Sequence, residues 1–348
     1  MDPLEAISVP QPEFSVEAAQ QALALQFDLH GELRSLVSER DQNFRVTTAD
    51  QDRFVFKIAN RSEPAVATDF QIKALLHIEQ KGCAVATPRI RRTVSGLDAA
   101  TIGEGDEAHI CRVVSYMPGE MLSSIDMTTT LARHFGKSAA ELDLALADFE
   151  HTGAKQSLLW DLQRAAELRK ILDYVVDVDL RAAVGACLDD FESRVLPALP
   201  ALRHQVIHSD LHSENVVAVG GDRIAGVIDF GDMVRAPLIM EVAVAAAYLR
   251  PAEDEDDVLA WVSPFIASYH SVLPLLSDEI DLLFDLVRAR LVATITILLW
   301  RAATRGAGDE YSSQNLSGES DAQTFLARLN SLGREQFCGQ IKKILKIN

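Results

Sequence analysis

The sequence predicts an α+β chain of two lobes, an antiparallel sheet followed by a mainly helical half. Three observations carry that expectation. Between residues 32 and 116, short runs alternate apolar and polar side chains and are broken by polar turns, which is the pattern of half-buried strands. From Ser124 onward the apolar spacing becomes that of helices. The length of 348 residues, 48% of them hydrophobic, suits one two-lobed domain or two small ones with a sizeable core. We place the boundary so that residues 1–117 form the first lobe and 118–348 the second.

Taken in order, Ser15–Leu29 reads as an amphipathic helix with Ala18, Ala22, Leu23 and Leu25 facing inward. Glu32–Val37, Phe44–Thr48 and Arg53–Ala59 are strand candidates. The Ser38–Asn43 segment joins the first two. It reads equally well as a plain hairpin turn or as a loop whose N–H groups and Arg40 meet phosphates. Pro64–Lys81 is a helix stopped by Gly82, with Gln71, Leu75 and Ile78 on one face. Pro88–Val94, Leu97–Ile102 and His109–Tyr116 continue the sheet. Tyr116-Met117-Pro118-Gly119 breaks the pattern and is expected to be a hinge with backbone groups open to a nucleotide base. Helices are then expected at Met127–His151, Leu158–Leu172, Leu180–Leu196, Leu238–Tyr248, Val258–Tyr269, Asp278–Thr304 and Asp321–Leu332. The acidic run Glu253–Asp257 is expected in the first turn of the helix after it, where carboxylates complement the helix dipole. Ser312–Ser320 is expected to be a mobile polar segment.

Between the helices lies Val206-Ile207-His208-Ser209-Asp210-Leu211-His212-Ser213-Glu214-Asn215-Val216-Val217, followed by Gly226-Val227-Ile228-Asp229-Phe230-Gly231-Asp232. The three apolar pairs read as short buried strands, and Gly220-Gly221-Asp222 as a hairpin turn. Asp210 offers a proton acceptor. Asn215 offers a neutral oxygen to a divalent cation, and Asp229 a charged one. All three are expected on one hairpin. The pattern is the His-x-Asp-x-x-x-x-Asn and Asp-Phe-Gly arrangement of phosphoryl-transfer enzymes. The bland alternative is a surface hairpin whose Asp and Asn serve turns. Upstream, alternation puts Phe54, Phe56 and Ile58 on one face and Val55, Lys57 and Ala59 on the other. Lys57 is thus either an edge residue facing water or a point charge reaching phosphate oxygens.

The formal net charge of −18 argues against a nucleic-acid partner, which needs Lys and Arg to displace counterions. It favours an amine-bearing small molecule, or serves solubility alone. Cys83, Cys111, Cys187 and Cys338 are scattered, with no zinc or disulfide pattern, and three of them read as core residues. Met1–Glu5 lacks the features of a signal peptide, and Val242–Leu249 and Leu291–Trp300 are too short to span a bilayer. The expected location is the cytoplasm, with no membrane partner.

These residues resemble the aminoglycoside phosphotransferase and choline kinase superfamily, with its protein-kinase-like fold, from about Leu33 to Leu332. Within it the chain is similar to the hydroxylysine kinase-like group, through Arg40-Asp41-Gln42-Asn43-Phe44, Phe56-Lys57-Ile58-Ala59-Asn60, and Ile228-Asp229-Phe230-Gly231-Asp232-Met233 followed by Glu241-Val242-Ala243. The resemblance implies a small-molecule kinase with magnesium as cofactor and ATP or GTP as donor. Asp210 would be the catalytic base or orienting carboxylate, and Asn215 and Asp229 would hold magnesium. Lys57, with Arg40, Asn43, Gln71 and Tyr116, would serve the nucleotide. His208 would fix the loop. Asp232, Glu241 and Arg290 are substrate candidates, with an internal salt-bridge network as the alternative. Arg288 and Arg290 are not both expected to face inward. Two positions depart from the superfamily. Ser209 stands where Gly is usual, and Gln71 where a Glu usually pairs with the lysine. The lead acceptor is 5-hydroxylysine; choline, ethanolamine, homoserine and aminoglycosides are alternatives, as is a regulatory protein that binds nucleotide without turnover.

Overall fold

The computed structural model describes residues 9–105, 108–252, 254–305 and 310–347, with only the backbone for 310–317. Met1–Glu5 and Glu253 lie outside the described residues. The chain divides into two compact units. One comprises Met1–Gly82, Ala86–Pro118 and Glu150–Leu159, the other Cys83–Val85, Gly119–Phe149 and Trp160–Asn348.

The first unit is built on an antiparallel sheet. Helix α1 (Val16–Phe27) is followed by β1 (Glu32–Leu36), β2 (Gln42–Thr47), β3 (Arg53–Ile58), helix α2 (Ala65–Lys81), β4 (Ile90–Arg91), β5 (Ala100–Ile102) and β6 (His109–Ser115). The strand order is β1-β2-β3-β6-β4, with β5 also on β6. Alternation sorts the two faces. Phe44, Val46, Phe56, Ile58, Cys111 and Val113 form a buried cluster with Ala19, Leu23 and Phe27 of α1. Those three recur every fourth position, one face of a helix. Leu25, expected inward, is 72% exposed instead, because it lies two residues off that stripe. The opposite sheet face carries Asn43, Lys57 and Arg112. Register sets Asn43 opposite Lys57, and Lys57 opposite Arg112. Helix α2 is capped by Gly82 in the left-handed conformation.

The main part of the second unit begins with Gly119. Its φ is +135°, and a Cβ there would lie 2.5 Å from the Ala218 carbonyl oxygen. Strand β7 (Glu120–Met121) can therefore pair with β9 (Val216–Val219), whose other neighbour is β10 (Arg223–Val227). A separate ladder joins β8 (His204–Ile207) to β11 (Val234–Pro237). The longer α-helices of this unit are α3 (Thr129–Leu146), α4 (Val178–Asp190), α5 (Ile239–Ala247), α6 (Val262–Val272), α7 (Ser277–Arg305), α8 (Glu310–Leu332) and α9 (Arg334–Leu345). Among the described residues no helix is long and apolar enough to cross a membrane.

Several expectations are corrected. Residues Leu162–Tyr174 form 3-10 turns rather than an α-helix, and the buried Leu162, Ala165, Leu168 and Ile171 recur every third residue, the period of that helix. Helix α6 starts at Val262, so the described part of the acidic run is not in its first turn. Instead the Glu255 and Asp257 carboxylates accept local N–H groups of Asp257 and Leu259. The Ser312–Ser320 backbone is helical, as part of α8. Helix α9 was not anticipated, although Phe337, Cys338 and Ile341 give it a buried stripe. Between Leu282 and Arg301 helix α7 is buried almost all round, so Arg288 and Arg290 both face inward, at 6% and 2% exposure. Arg288 pairs with Asp190 at 2.7 Å and Asp285 at 3.4 Å.

Replacing Gly119 by Ala is expected to destabilise the second unit by about 1–3 kcal/mol, through strain at positive φ and the clash with Ala218. Denaturant unfolding of the variant checks this. An unchanged midpoint would show that the strand tolerates a side chain there.

Candidate active site

The loop between β8 and β9 is folded onto the residue after β10. His208 is fully buried and its Nε2 donates to the Ile228 carbonyl at 3.0 Å, while its Nδ1 accepts the Asp210 N–H at 3.3 Å. These partners fix one tautomer, because a carbonyl only accepts and an N–H only donates. Burial lowers the His208 pKa and so favours the neutral ring. The Ile228 N–H donates to the Asn215 carbonyl at 2.9 Å. The Asn215 side-chain Nδ2 donates to the Asp210 carboxylate at 2.8 Å and to its carbonyl at 2.9 Å. Asp210 therefore does not sit on the hairpin, as expected, but in a loop entered from a different ladder. Asn215 and Asp229 flank the hairpin β9–β10, whose turn uses Gly220 and Gly221 at φ +66° and +76°.

Two non-glycine residues here adopt positive φ. Ser209 has φ +66°, and Asp229, exposed, has φ +58° with its Oδ1 accepting the Gly231 N–H at 3.3 Å. The backbone cost at Ser209 is about 1–2 kcal/mol without glycine. The Ser209 N–H is held by Glu241 Oε2 at 2.8 Å. Glu241 is fully buried and anchors the loop. Burial pushes its carboxyl up to about 7, against the Ser209 N–H, which lowers it; nearby Asp210 raises it further. Asp143, also fully buried and bonded by the Tyr269 hydroxyl at 2.5 Å, has its pKa raised by burial and by Glu241.

The Asp210 carboxylate is gripped from three sides. Arg290 Nη2 lies 2.6 Å from Oδ1, and His212 Nε2 lies 3.2 Å from Oδ2, beside the Asn215 amide. The Arg290 guanidinium packs on the rings of Trp160 and Tyr248, at 4.9 and 5.5 Å, and Tyr248 stacks on His212 at 4.8 Å. Burial alone would raise the Asp210 carboxyl, but His212, its hydrogen bond and Arg290 outweigh burial and hold it well below the usual range. Burial works against charge on His212, yet Asp210 pushes it up to about 9. The site therefore holds a firmly ionised carboxylate, suited to aligning a hydroxyl more than to removing a proton in the ground state. Arg290, expected at a substrate carboxylate, spends Nη2 on Asp210, while Nε and Nη1 have no partner among the described residues. Asp232 is buried at 8% exposure in the turn after Asp229.

In the first unit, the row Asn43–Lys57–Arg112 holds two of the residues expected at a nucleotide, Asn43 and Lys57. Gln71, buried on α2, accepts from Arg112 and donates to Glu63 at 3.3 Å. Asn60 holds the Arg40 carbonyl at 3.2 Å, and its N–H donates to Asp41 at 3.2 Å, tying the loop before β2 to the end of β3. Tyr116 lies apart from this row. Its N–H is spent on the Arg53 carbonyl at 3.1 Å and its ring on the Arg53 guanidinium, so that N–H is not open to a base. Sequence reading missed His212, Trp160 and Tyr248 around Asp210, and Arg112 beside Lys57. His212 stood in the quoted loop; the other three are brought in only by tertiary contact or strand register.

A carboxylate clasped by an amide, an imidazole and a guanidinium is thus the centre of the candidate site. Residues 32–275 match the phosphotransferase enzyme family (APH), and the chain belongs to that family. It is a phosphotransferase with an alcohol group as acceptor. Hydroxylysine kinase of Danio rerio is 26% identical over 317 residues, covering 87% of this chain and 88% of that protein. Amicoumacin kinase hAmiN superposes with a TM-score of 0.68 at 16% identity, over 92% of this chain and 98% of that one. A microcompartment-associated aminopropanol kinase gives 0.68 at 17%, over 91% and 97%. The two solved structures establish the protein-kinase-like α+β fold, and the resemblance read from the sequence stands.

The raised Glu241 carboxyl sets a pH dependence. The unfolded chain releases this proton near 4.5 and the folded one near 7, so stability present below the first value is lost as pH rises through the second. Glu241→Gln keeps an acceptor for Ser209 without the charge. It is expected to be more stable than the parent at pH 8 and to flatten the stability profile between pH 5 and 8. Chemical unfolding at the two pH values measures this; a parallel pH loss in the variant refutes it.

Proposed function

We propose that this chain transfers the terminal phosphoryl group of a nucleoside triphosphate, ATP or GTP, to a hydroxyl of an amino-bearing metabolite, with 5-hydroxylysine the lead acceptor. The observation that carries the reading is the Asp210 carboxylate fixed by Asn215, His212 and Arg290 at hydrogen-bond distance. Such a group aligns an incoming hydroxyl, and catalysis of this kind rests on positioning and electrostatics.

The donor set suits a hard divalent cation such as magnesium. Asn215 commits Nδ2 to Asp210, and no hydrogen bond among the described residues engages its Oδ1. Asp229 is exposed two residues beyond Val227 at the end of the same hairpin. Bound there, the cation would offset charge on the phosphates. Lys57 would hold phosphate oxygens from its strand. His208 and Glu241 would keep the loop in shape, and Asp232 would support the substrate side.

The amino-acid acceptor draws support from Arg290. Its Nε and Nη1, buried and without partners among the described residues, would answer a substrate carboxylate. Danio rerio hydroxylysine kinase covers most of the chain, and the hAmiN structure holds AMP-PNP and Ca2+, which supports a nucleotide donor and a divalent cation. No observation favours a nucleotide-binding protein without turnover, since Lys57, Asp210, Asn215 and Asp229 are all present.

Transfer from ATP and GTP should be assayed against 5-hydroxylysine, homoserine, choline, ethanolamine and an aminoglycoside, with magnesium. The expected outcome is preference for a carboxylate-bearing acceptor; no transfer to any of them overturns the reading. Asp210→Ala should lower kcat by about 1,000-fold with nucleotide affinity kept. Asp229→Ala should abolish magnesium-dependent nucleotide binding in calorimetry. Equal nucleotide binding with and without magnesium in the parent would remove Asp229 from that role.

A further inference from the structure

The polar face of the first unit's sheet poses an electrostatic problem. Lys57 on β3 and Arg112 on β6 stand directly opposite each other in register, so both side chains leave the same face. Like charges at such positions destabilise a sheet. Arg112 is also 3% exposed, and burying a guanidinium is costly unless it is well paired. Its pairing is partial. It donates to the Gln71 oxygen, a neutral acceptor, and Asp41 stands 4.0 Å away. Its Nη1 has no partner among the described residues, and neither has Asn43 Oδ1 in the same row. The remaining carboxylate, Glu63, is turned towards Thr68 at 2.9 Å and Gln71 at 3.3 Å. Burial and the neighbouring Asp41 raise its pKa, against Arg112 and Arg40, which lower it.

A net charge of −18 makes the rest of the molecule repel a polyphosphate. A compact cationic row is then the feature that would draw one in. We propose that Arg112 is a positioning residue of the nucleotide-phosphate site: it locks Gln71 of α2 onto the sheet beside Lys57 and adds a second, buried positive charge to the field the phosphates meet. The proposal rests on the kinase reading above. It gives the buried Arg112 Nη1, which has no partner among the described residues, a reason, since bound phosphates would add negative charge beside it. It also accounts for a neutral Gln71. An amide accepts from Arg112 without cancelling its charge, whereas a carboxylate there would cancel it.

The test compares Arg112→Met and Arg112→Lys with Lys57→Ala and Asp210→Ala in the full chain. In Arg112→Met the KM for nucleotide is expected to rise about tenfold or more, with kcat at saturating nucleotide and the KM for acceptor within about threefold of the parent. Arg112→Lys, which keeps the charge, should recover most of the nucleotide affinity. Calorimetric affinity for the nucleotide should fall less steeply with added salt in the Met variant than in the parent, an effect that packing alone does not produce. If Arg112→Met does not fold, Arg112→Gln, which keeps a donor for Gln71, is read the same way. Unchanged nucleotide KM and salt dependence, or an acceptor KM that rises equally, overturns the proposal. If Lys57→Ala weakens nucleotide binding while the Arg112 variants do not, this inference fails and the kinase reading survives. If the parent binds no nucleotide, the reading fails and takes the inference with it.

Discussion

Ile228 spends both of its backbone hydrogen bonds on another loop. Its carbonyl takes the His208 imidazole, and its N–H goes to the Asn215 carbonyl. A single residue thus fixes the start and the end of the segment that carries Asp210, and does so one residue before Asp229. The separations among the three polar groups follow from that tie. The strands on either side only have to deliver the chain to it. This is why two separate ladders, β8–β11 and β9–β10, can serve one site without sharing a strand.

The same region concentrates cost. Ser209 and Asp229 are held at positive φ, and Glu241 and Asp143 are carboxylates buried out of water. Strain and desolvation of this kind persist only where surrounding structure imposes them. Here the imposition is visible: Glu241 receives the Ser209 N–H, and α5, which carries Glu241, is buried along its whole length. The missing glycine at 209 is therefore answered by a hydrogen bond to an adjacent element.

Local pattern in the sequence was a reliable guide wherever a period decided the outcome. Alternation placed Phe56 and Ile58 in the core and Lys57 opposite them, and the glycine pair at 220 and 221 closed the hairpin. It misled where one residue off a stripe mattered, as at Leu25, or where an uncommon period was in play, as in Leu162–Tyr174. It was silent on partnerships set by tertiary approach. Nothing near Arg290 in the chain points to Asp210, eighty residues earlier, and nothing near Arg112 points to Lys57 until the strand order is known. The polar residues of the candidate site were legible by type and spacing; their partners were not, because partners are chosen by register and by helix packing.

The 3-10 path of Leu162–Tyr174 has a bearing on chain length. At about 2.0 Å per residue its thirteen residues reach roughly 26 Å, a distance an α-helix would need about four more residues to cover. Trp160, whose ring lies against Arg290, sits just ahead of it. A homologue that traverses this stretch as a regular α-helix should therefore carry a short insertion after the tryptophan position. Gaps opening there in an alignment would mark a change of helical pitch, and no loss of the residues around the carboxylate.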